Sequence, residues 1–189
     1  MDIQVSHLCK RFGEKTVFQD FSAVFPRGET TCIMGPSGCG KTTLLSLLLG
    51  LEQPDEGEIT GMESLRKSAV FQEHRLCEGV SAAANLRLVA PHLSRQEAEA
   101  LLTGLGLGDS LRQPVGEFSG GMKRRTAILR ALIAPYDVLL ADEPFQGLDQ
   151  DTKQLVLDYW QKQTRGKTVI LVTHDLAEAE ALGDHILSL

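Results

Sequence analysis

The nine residues "GPSGCGKTT", at positions 35–43, constrain this chain more than any other stretch. They follow a short β-prone run, Thr30–Met34, and open an apolar segment, Lys41–Leu49, that reads as a buried helix stopped by Gly50. Glycine lets a backbone wrap so tightly that consecutive N–H groups point inward, toward an anion. A helix N-terminus at the end of such a loop adds partial positive charge. The pattern G-x-x-x-x-G-K-[ST], in a strand–loop–helix context, is a phosphate cradle. It predicts nucleotide contacts from Gly35, Pro36, Ser37, Gly38, Cys39, Gly40, Lys41, Thr42 and Thr43. Lys41 would neutralise the β and γ phosphates, and the Thr42 hydroxyl would ligate Mg²⁺.

The rest of the chain is organised around that unit. Residues 2–8 and 16–25 read as β segments, separated near Gly13 and followed by a Pro26-Arg27-Gly28 turn. Residues 53–61 read as an acidic turn region, and residues 68–71 as a short strand. From 73 to 117 the β-branched runs give way to helical patterns. Ser94 and Glu97 make a capping box ahead of Ala98, Leu101, Leu102 and Leu105, with Gly106 as a stop. Residues 122–133 read as a helix ahead of Pro135. Residues 138–141 form a continuous apolar run, as expected of a strand buried on both faces of a parallel sheet. Residues 152–164 read as a helix with an apolar stripe of Leu155, Val156, Tyr159 and Trp160. Thr168–Val172 is a second buried strand, Leu176–Leu182 a short helix, and residues 185–189 a last strand. Strand–helix alternation makes this an α/β fold with a mostly parallel core.

Asp142 and Glu143 end the apolar run at 138–141. Two ionised groups at the tip of a buried strand are costly unless compensated. If that strand lies beside Thr30–Met34, Asp142 emerges near the phosphate loop, where a Mg²⁺–nucleotide supplies the compensation. Asp142 would then hold the metal through water, and Glu143 would reach the water that attacks the γ-phosphate. The plainer alternative is that Glu143 caps the turn into Pro144. His174, in "LVTHD", follows the second buried strand. Parallel strands end together, which puts His174 on the same edge as Gly35 and Asp142 and within reach of the γ-phosphate.

Bulk properties exclude other classes. A net charge of −6 argues against nonspecific nucleic-acid binding, which needs a basic face. The run Lys123-Arg124-Arg125 reads as a solvated helix face that also supports its helix, and Arg130 extends it. Cys9, Cys32, Cys39 and Cys77 make no metal-site spacing and read as scattered reduced thiols. The N-terminus lacks signal-peptide character, and no apolar run approaches the ~20 residues a membrane span needs. Any membrane association is therefore expected through a partner.

Ser119-Gly120-Gly121 is a helix N-cap with two free glycine amides, a second anion site if it is more than a cap. Two anion sites in one chain suggest a sandwich, with Ser119 of one subunit closing over a nucleotide held by Lys41 of another.

At this point the chain resembles the ATP-binding subunits of ABC transporters over nearly its whole length. Positions 35–42 are similar to the Walker A loop, Gln72 in "VFQEHR" to the Q-loop glutamine, and "FSGGM" at 118–122 to the signature. Residues 138–143 are similar to Walker B with its catalytic glutamate, Asp149 in "QGLD" to the D-loop, and His174 to the switch histidine. Phe12 in "KRFG" sits where the family stacks an aromatic ring on adenine.

The resemblance implies a P-loop NTPase core of mostly parallel sheet, an N-terminal antiparallel portion and a helical subdomain at about 73–134 within a single ATP-binding domain. It implies a Mg²⁺-dependent ATPase in a head-to-tail dimer, with two ATP molecules between phosphate loops and signatures. Gln72 would help ligate Mg²⁺ and couple the site to a transmembrane permease, received along a groove near residues 73–86. The expected place is the cytoplasmic face of the membrane, with an extracytoplasmic solute-binding protein as a further partner. The chain departs from the pattern at Met122, where the family usually has Gln, at Phe118 for Leu, and at Phe12 for Tyr. Its compactness is similar to subunits that import small solutes such as sulfonates, nitrate or thiamine precursors. The alternative is a soluble ABC-type ATPase acting on DNA or ribosomes. Such proteins carry coiled coils, zinc modules or tandem cassettes, none of which is visible here. A P-loop kinase or GTPase is disfavoured by Ser-Gly-Gly ahead of the carboxylates and "VTHD" after them.

Overall fold

The computed structural model describes all residues, 1–189. The chain divides into two compact units. One comprises Met1–Lys67, Tyr136–Glu143 and Gly166–Leu189, and the other Ser68–Pro135 and Pro144–Arg165.

The first unit contains an antiparallel sheet of β1 (Ile3–Phe12), β2 (Lys15–Phe25) and β4 (Glu56–Thr60), ordered β2-β1-β4. β4 lies where the sequence reads as acidic turn. Its side chains are exposed or half-buried, so it carries no apolar alternation, and pairing with β1 is what makes it a strand. The parallel sheet contains β3 (Thr30–Met34), β6 (Val138–Asp142), β7 (Thr168–Val172) and β8 (His185–Ser188), with neighbours in the order β6-β7-β3-β8. β5 (Lys67–Val70) is the fifth strand of that sheet. The expectation that β6 lies directly beside β3 is corrected: β7 stands between them. Every residue of β6 and β7 is buried, as a doubly covered parallel strand requires.

Helix α1 (Lys41–Leu49) buries Leu44, Leu45, Leu47 and Leu48 in a core shared with Ile3, Leu8, Phe25, Ile33, Leu140 and Ile170. Burying each leucine contributes roughly 1.5–3 kcal/mol, which anchors the helix under its loop. Gly50 closes it in the left-handed conformation, as its position predicts. Helix α6 (Leu176–Leu182) is capped by Asp175, whose carboxylate accepts from the N–H groups of Ala177 and Glu178. The four cysteines are free, and burial pushes the Cys32 thiol up to about 12.

The second unit is built from α2 (Ala82–Val89), α3 (Arg95–Gly104), α4 (Gly120–Ile133) and α5 (Gln150–Thr164). The residues expected to be helical, 73–134, fall inside it, but it also includes α5. The capping box of Ser94 and Glu97 forms as the sequence predicts. Leu86, Leu102, Leu105 and Ile128 are fully buried among the helices, and Phe145 meets Trp160 edge-on at 5.2 Å. The predicted stripe of α5 is narrower than expected. Val156 and Trp160 are buried, but Leu155 is 40% exposed.

The basic run is not a solvated face. Arg124 is buried, and its two terminal nitrogens donate to the carbonyls of Phe71 and Gln72, each at 2.7 Å. Arg125 donates to the Leu105 carbonyl at 2.8 Å, and Lys123 pairs with Glu78 at 2.8 Å. These cations tie off backbone oxygens and a carboxylate, which is the supporting role without the solvent.

Candidate functional site

The phosphate loop starts where β3 ends. Gly40 is the N-cap of α1, with φ 110° and no capping side chain, and the first turn carries no acidic residue. The leading N–H groups of α1 therefore have no side-chain acceptor, the condition for binding an outside anion. A Cβ at Gly40 would stand 2.7 Å from Val17 Cγ1 and 2.8 Å from Phe18 Cζ. Glycine is required there on both conformational and steric grounds. The Lys41 ammonium folds back to donate to the carbonyls of Gly35 at 2.7 Å and Pro36 at 3.0 Å. Ser37 and Gly38 are exposed at the loop tip, while Cys39 and Thr43 are half-buried.

The carboxylates arrive from β6. Asp142, its last residue, is buried and accepts a hydrogen bond from the Thr42 hydroxyl at 2.6 Å. Contact is made although β6 and β3 are not neighbours, because α1 packs over the sheet and carries Thr42 across. Glu143 takes a left-handed conformation, φ 47°, with its N–H on the Val172 carbonyl at 3.0 Å. A non-glycine residue held there is strained, and such strain concentrates at functional positions. Its Oε2 lies 2.8 Å from Nδ1 of His174. The plain turn-capping role does not account for that contact. The Thr173 N–H donates to the Ile33 carbonyl at 3.2 Å, so the ends of β7 and β3 are bound together just before His174.

The structure thus brings Lys41, Thr42, Asp142, Glu143 and His174 to one edge of the parallel sheet, the carboxyl ends of its strands, where open α/β sheets bind ligands. The set can cradle a triphosphate, present hard oxygens to a cation and hold a carboxylate poised as a base. Thr42 and Asp142 are suited to Mg²⁺, which prefers one or two protein oxygens and retains water and phosphate ligands. No cluster of three or more His, Cys, Asp or Glu residues exists that would make an all-protein metal cage. Phe12, also in the first unit, ends β1 and is 46% exposed.

The other expected residues belong to the second unit. Gln72 is exposed, and Arg124 holds its carbonyl. Ser119 is the N-cap of α4, its hydroxyl accepting from Met122 N–H at 3.3 Å, with Gly120 exposed beside it and Gly121 half-buried. Phe118, the departure from the usual leucine, is buried, so the larger ring is used as packing. Asp149 caps α5. The hydrogen bond from the Thr152 N–H holds its carboxyl below the usual range. Sequence reasoning missed the grip of Arg124 on Gln72. The available signal was its place on the buried stripe of α4, one helical repeat before Ala127 and Ile128.

The sequence signature described as ABC transporter matches residues 18–146. The aliphatic sulfonates import ATP-binding protein SsuB 2 of Burkholderia cenocepacia is 37% identical over 201 residues, covering 100% of this chain and 73% of that protein. The SsuB protein of Pectobacterium atrosepticum is 39% identical over 190 residues, covering 95% and 71%. Among solved structures, the ATP-binding cassette MJ0796, as a post-hydrolysis dimer bound to ADP and Pi, superposes with a TM-score of 0.86 at 28% identity, covering 99% of this chain and 94% of that one. A second dimeric structure of the same cassette gives a TM-score of 0.83. No helix is long and apolar enough to cross a membrane. The phosphate loop, the paired carboxylates and these similarities lead to one conclusion: the chain belongs to the ABC transporter family, as an ATP-binding subunit that hydrolyses ATP to power solute transport.

Proposed function

We propose that two copies of this subunit close on two ATP molecules and drive import of a small solute of the alkanesulfonate class. The observation that carries the reading is the pairing of Thr42 with Asp142 and of Glu143 with His174 at one sheet edge, next to Lys41. The solute class is supported by the aliphatic sulfonate importers that align with almost the whole chain.

In this reading Lys41 exchanges the carbonyls of Gly35 and Pro36 for β and γ phosphate oxygens, and the N–H groups of residues 35–43 surround the phosphates. Thr42, Asp142 and Gln72 hold Mg²⁺, which neutralises phosphate charge when bound. Glu143 accepts the proton of the attacking water. His174 orients that carboxylate and reaches the γ-phosphate. Ser119, Gly120 and Gly121 of the second copy close the other side, with Asp149 beside them, and Phe12 stacks on adenine. Gln72 passes the state of the site to a permease that holds the subunit on the cytoplasmic face. A solute-binding protein delivers cargo from outside.

Uptake tests the reading. The permease that co-purifies with the chain is reconstituted with it in liposomes, with ATP sealed beside the ATP-binding subunits and the solute-binding protein on the opposite face. Labelled alkanesulfonate is expected to accumulate only with ATP. Accumulation no faster with ATP than without it overturns the transport role. ATP-driven accumulation of a different solute overturns the sulfonate assignment.

A further inference from the structure

We propose that Lys10 is a positioning residue for nucleotide recognition, whose ammonium covers one face of the Phe12 ring and leaves the other face for a base. The proposal rests on the reading of Phe12 as the stacking residue and deepens it.

Lys10 is only 7% exposed, rare for a lysine. A buried ammonium needs partners, and this one has oxygens on one side and a ring on the other. It donates to the Gln53 carbonyl at 2.8 Å and lies 3.2 Å from Glu52 Oε2 and 3.9 Å from Asp55 Oδ1. Its Nζ sits 4.9 Å from the centroid of Phe12, within cation–π range. The loop that holds it is itself tied to β1. The Asp55 N–H donates to the Cys9 carbonyl at 2.9 Å, and the Asp55 carboxylate accepts from the Arg11 N–H at 2.7 Å. Residues 52–55 thus fix the lysine, and the lysine fixes the ring.

A half-exposed aromatic at a strand end otherwise loses rotational freedom when it stacks, and that loss weakens binding. An ammonium on one face holds the ring beforehand. The same contact makes the two faces inequivalent, so a base meets only the uncovered one. The bland alternative is that Lys10 merely staples the 52–55 loop to β1. In that case its removal would weaken binding regardless of what occupies position 12.

A double-mutant cycle on the full chain separates these. The dissociation constant of ATP is measured by displacement of a fluorescent ATP analogue from wild type, Phe12→Ala, Lys10→Met and the double variant. Phe12→Ala is expected to weaken binding. Lys10→Met is expected to weaken it about three- to tenfold. The double variant should bind no more weakly than Phe12→Ala alone, and Lys10→Arg, which keeps the cation, should restore most of the affinity. If Phe12→Ala binds like wild type, the stacking reading falls and this proposal with it. If Phe12→Ala is weak but Lys10→Met is tight, the lysine proposal alone falls. It falls equally if the effect of Lys10→Met persists undiminished in the Phe12→Ala background. Should Lys10→Met not fold, Glu52→Gln loosens the ammonium from outside. It should then weaken binding in wild type and not in Phe12→Ala; any other pattern overturns the proposal.

Discussion

Glu143 and His174 leave the ends of two adjacent strands and meet at 2.8 Å between Oε2 and Nδ1. The contact orients one carboxylate oxygen, and in the proposed mechanism the other receives the proton of the attacking water. Glu143→Gln keeps the shape and removes the proposed base. It should leave ATP affinity unchanged and lower turnover about 10²- to 10⁴-fold, the usual worth of general-base assistance. Steady-state ATPase rates at saturating ATP, beside a binding isotherm, check this. Turnover close to wild type would remove Glu143 from that role.

Asp142 and Thr42 make a different kind of pair. Their oxygens lie 2.6 Å apart, the Thr42 hydroxyl donating to the Asp142 carboxylate. If Asp142 holds Mg²⁺ through water, Asp142→Asn should act on the metal more than on ATP. Outer-shell losses of this type cost roughly 10- to 100-fold in metal affinity. The expected result is a rise of that size in the Mg²⁺ concentration giving half-maximal turnover. A variant with unchanged Mg²⁺ dependence would separate Asp142 from the metal.

Ser119 caps α4 within its own chain, which by itself explains a serine there. The sandwich asks more of it, namely contact with a nucleotide on the second copy. Ser119→Arg should therefore spare nucleotide binding by the monomer and block ATP-driven dimerisation, because a long cation would occupy the place of the γ-phosphate. Size-exclusion chromatography with ATP in the Glu143→Gln background, where hydrolysis does not reopen the dimer, reads this directly. A dimer of normal size would be incompatible with the sandwich.

The parts that sequence alone resolves are those bounded by strong local signals. β3, α1, β7 and α6 come out at their observed limits, because glycine turns, caps and continuous apolar runs mark their ends. The phosphate loop is legible for the same reason, since its chemistry lies in one contiguous stretch. Three features were not legible. β4 is a strand by pairing with β1, and its acidic surface carries no periodicity. The place of β7 between β6 and β3 is a non-local choice that no local pattern encodes. The burial of Arg124 depends on carbonyls some fifty residues earlier in the chain, so three consecutive basic residues looked like a wet surface when one of them was a core contact.

Arg66 and Asp137 offer a test in pH. Arg66 gives Asp137 three hydrogen bonds, from its backbone N–H at 2.8 Å and from Nε and Nη2 at 3.0 Å each. These bonds hold the Asp137 carboxyl well below the usual carboxylate range. A group whose folded pKa is depressed stabilises the protein above its unfolded value, near 4, and that stabilisation is lost as pH falls toward the folded value. Asp137→Asn removes the titration. Its melting temperature should fall below that of wild type at pH 7 by a margin that is constant down to about pH 5. Below about pH 4 the margin should shrink steadily, because the unfolded wild-type chain takes up a proton at Asp137 that the folded form still excludes, while the variant has no such proton to bind. Thermal melts of both proteins from pH 7 to pH 2.5 measure the margin. If it stays constant across that range, the pair is not an electrostatic contributor to stability.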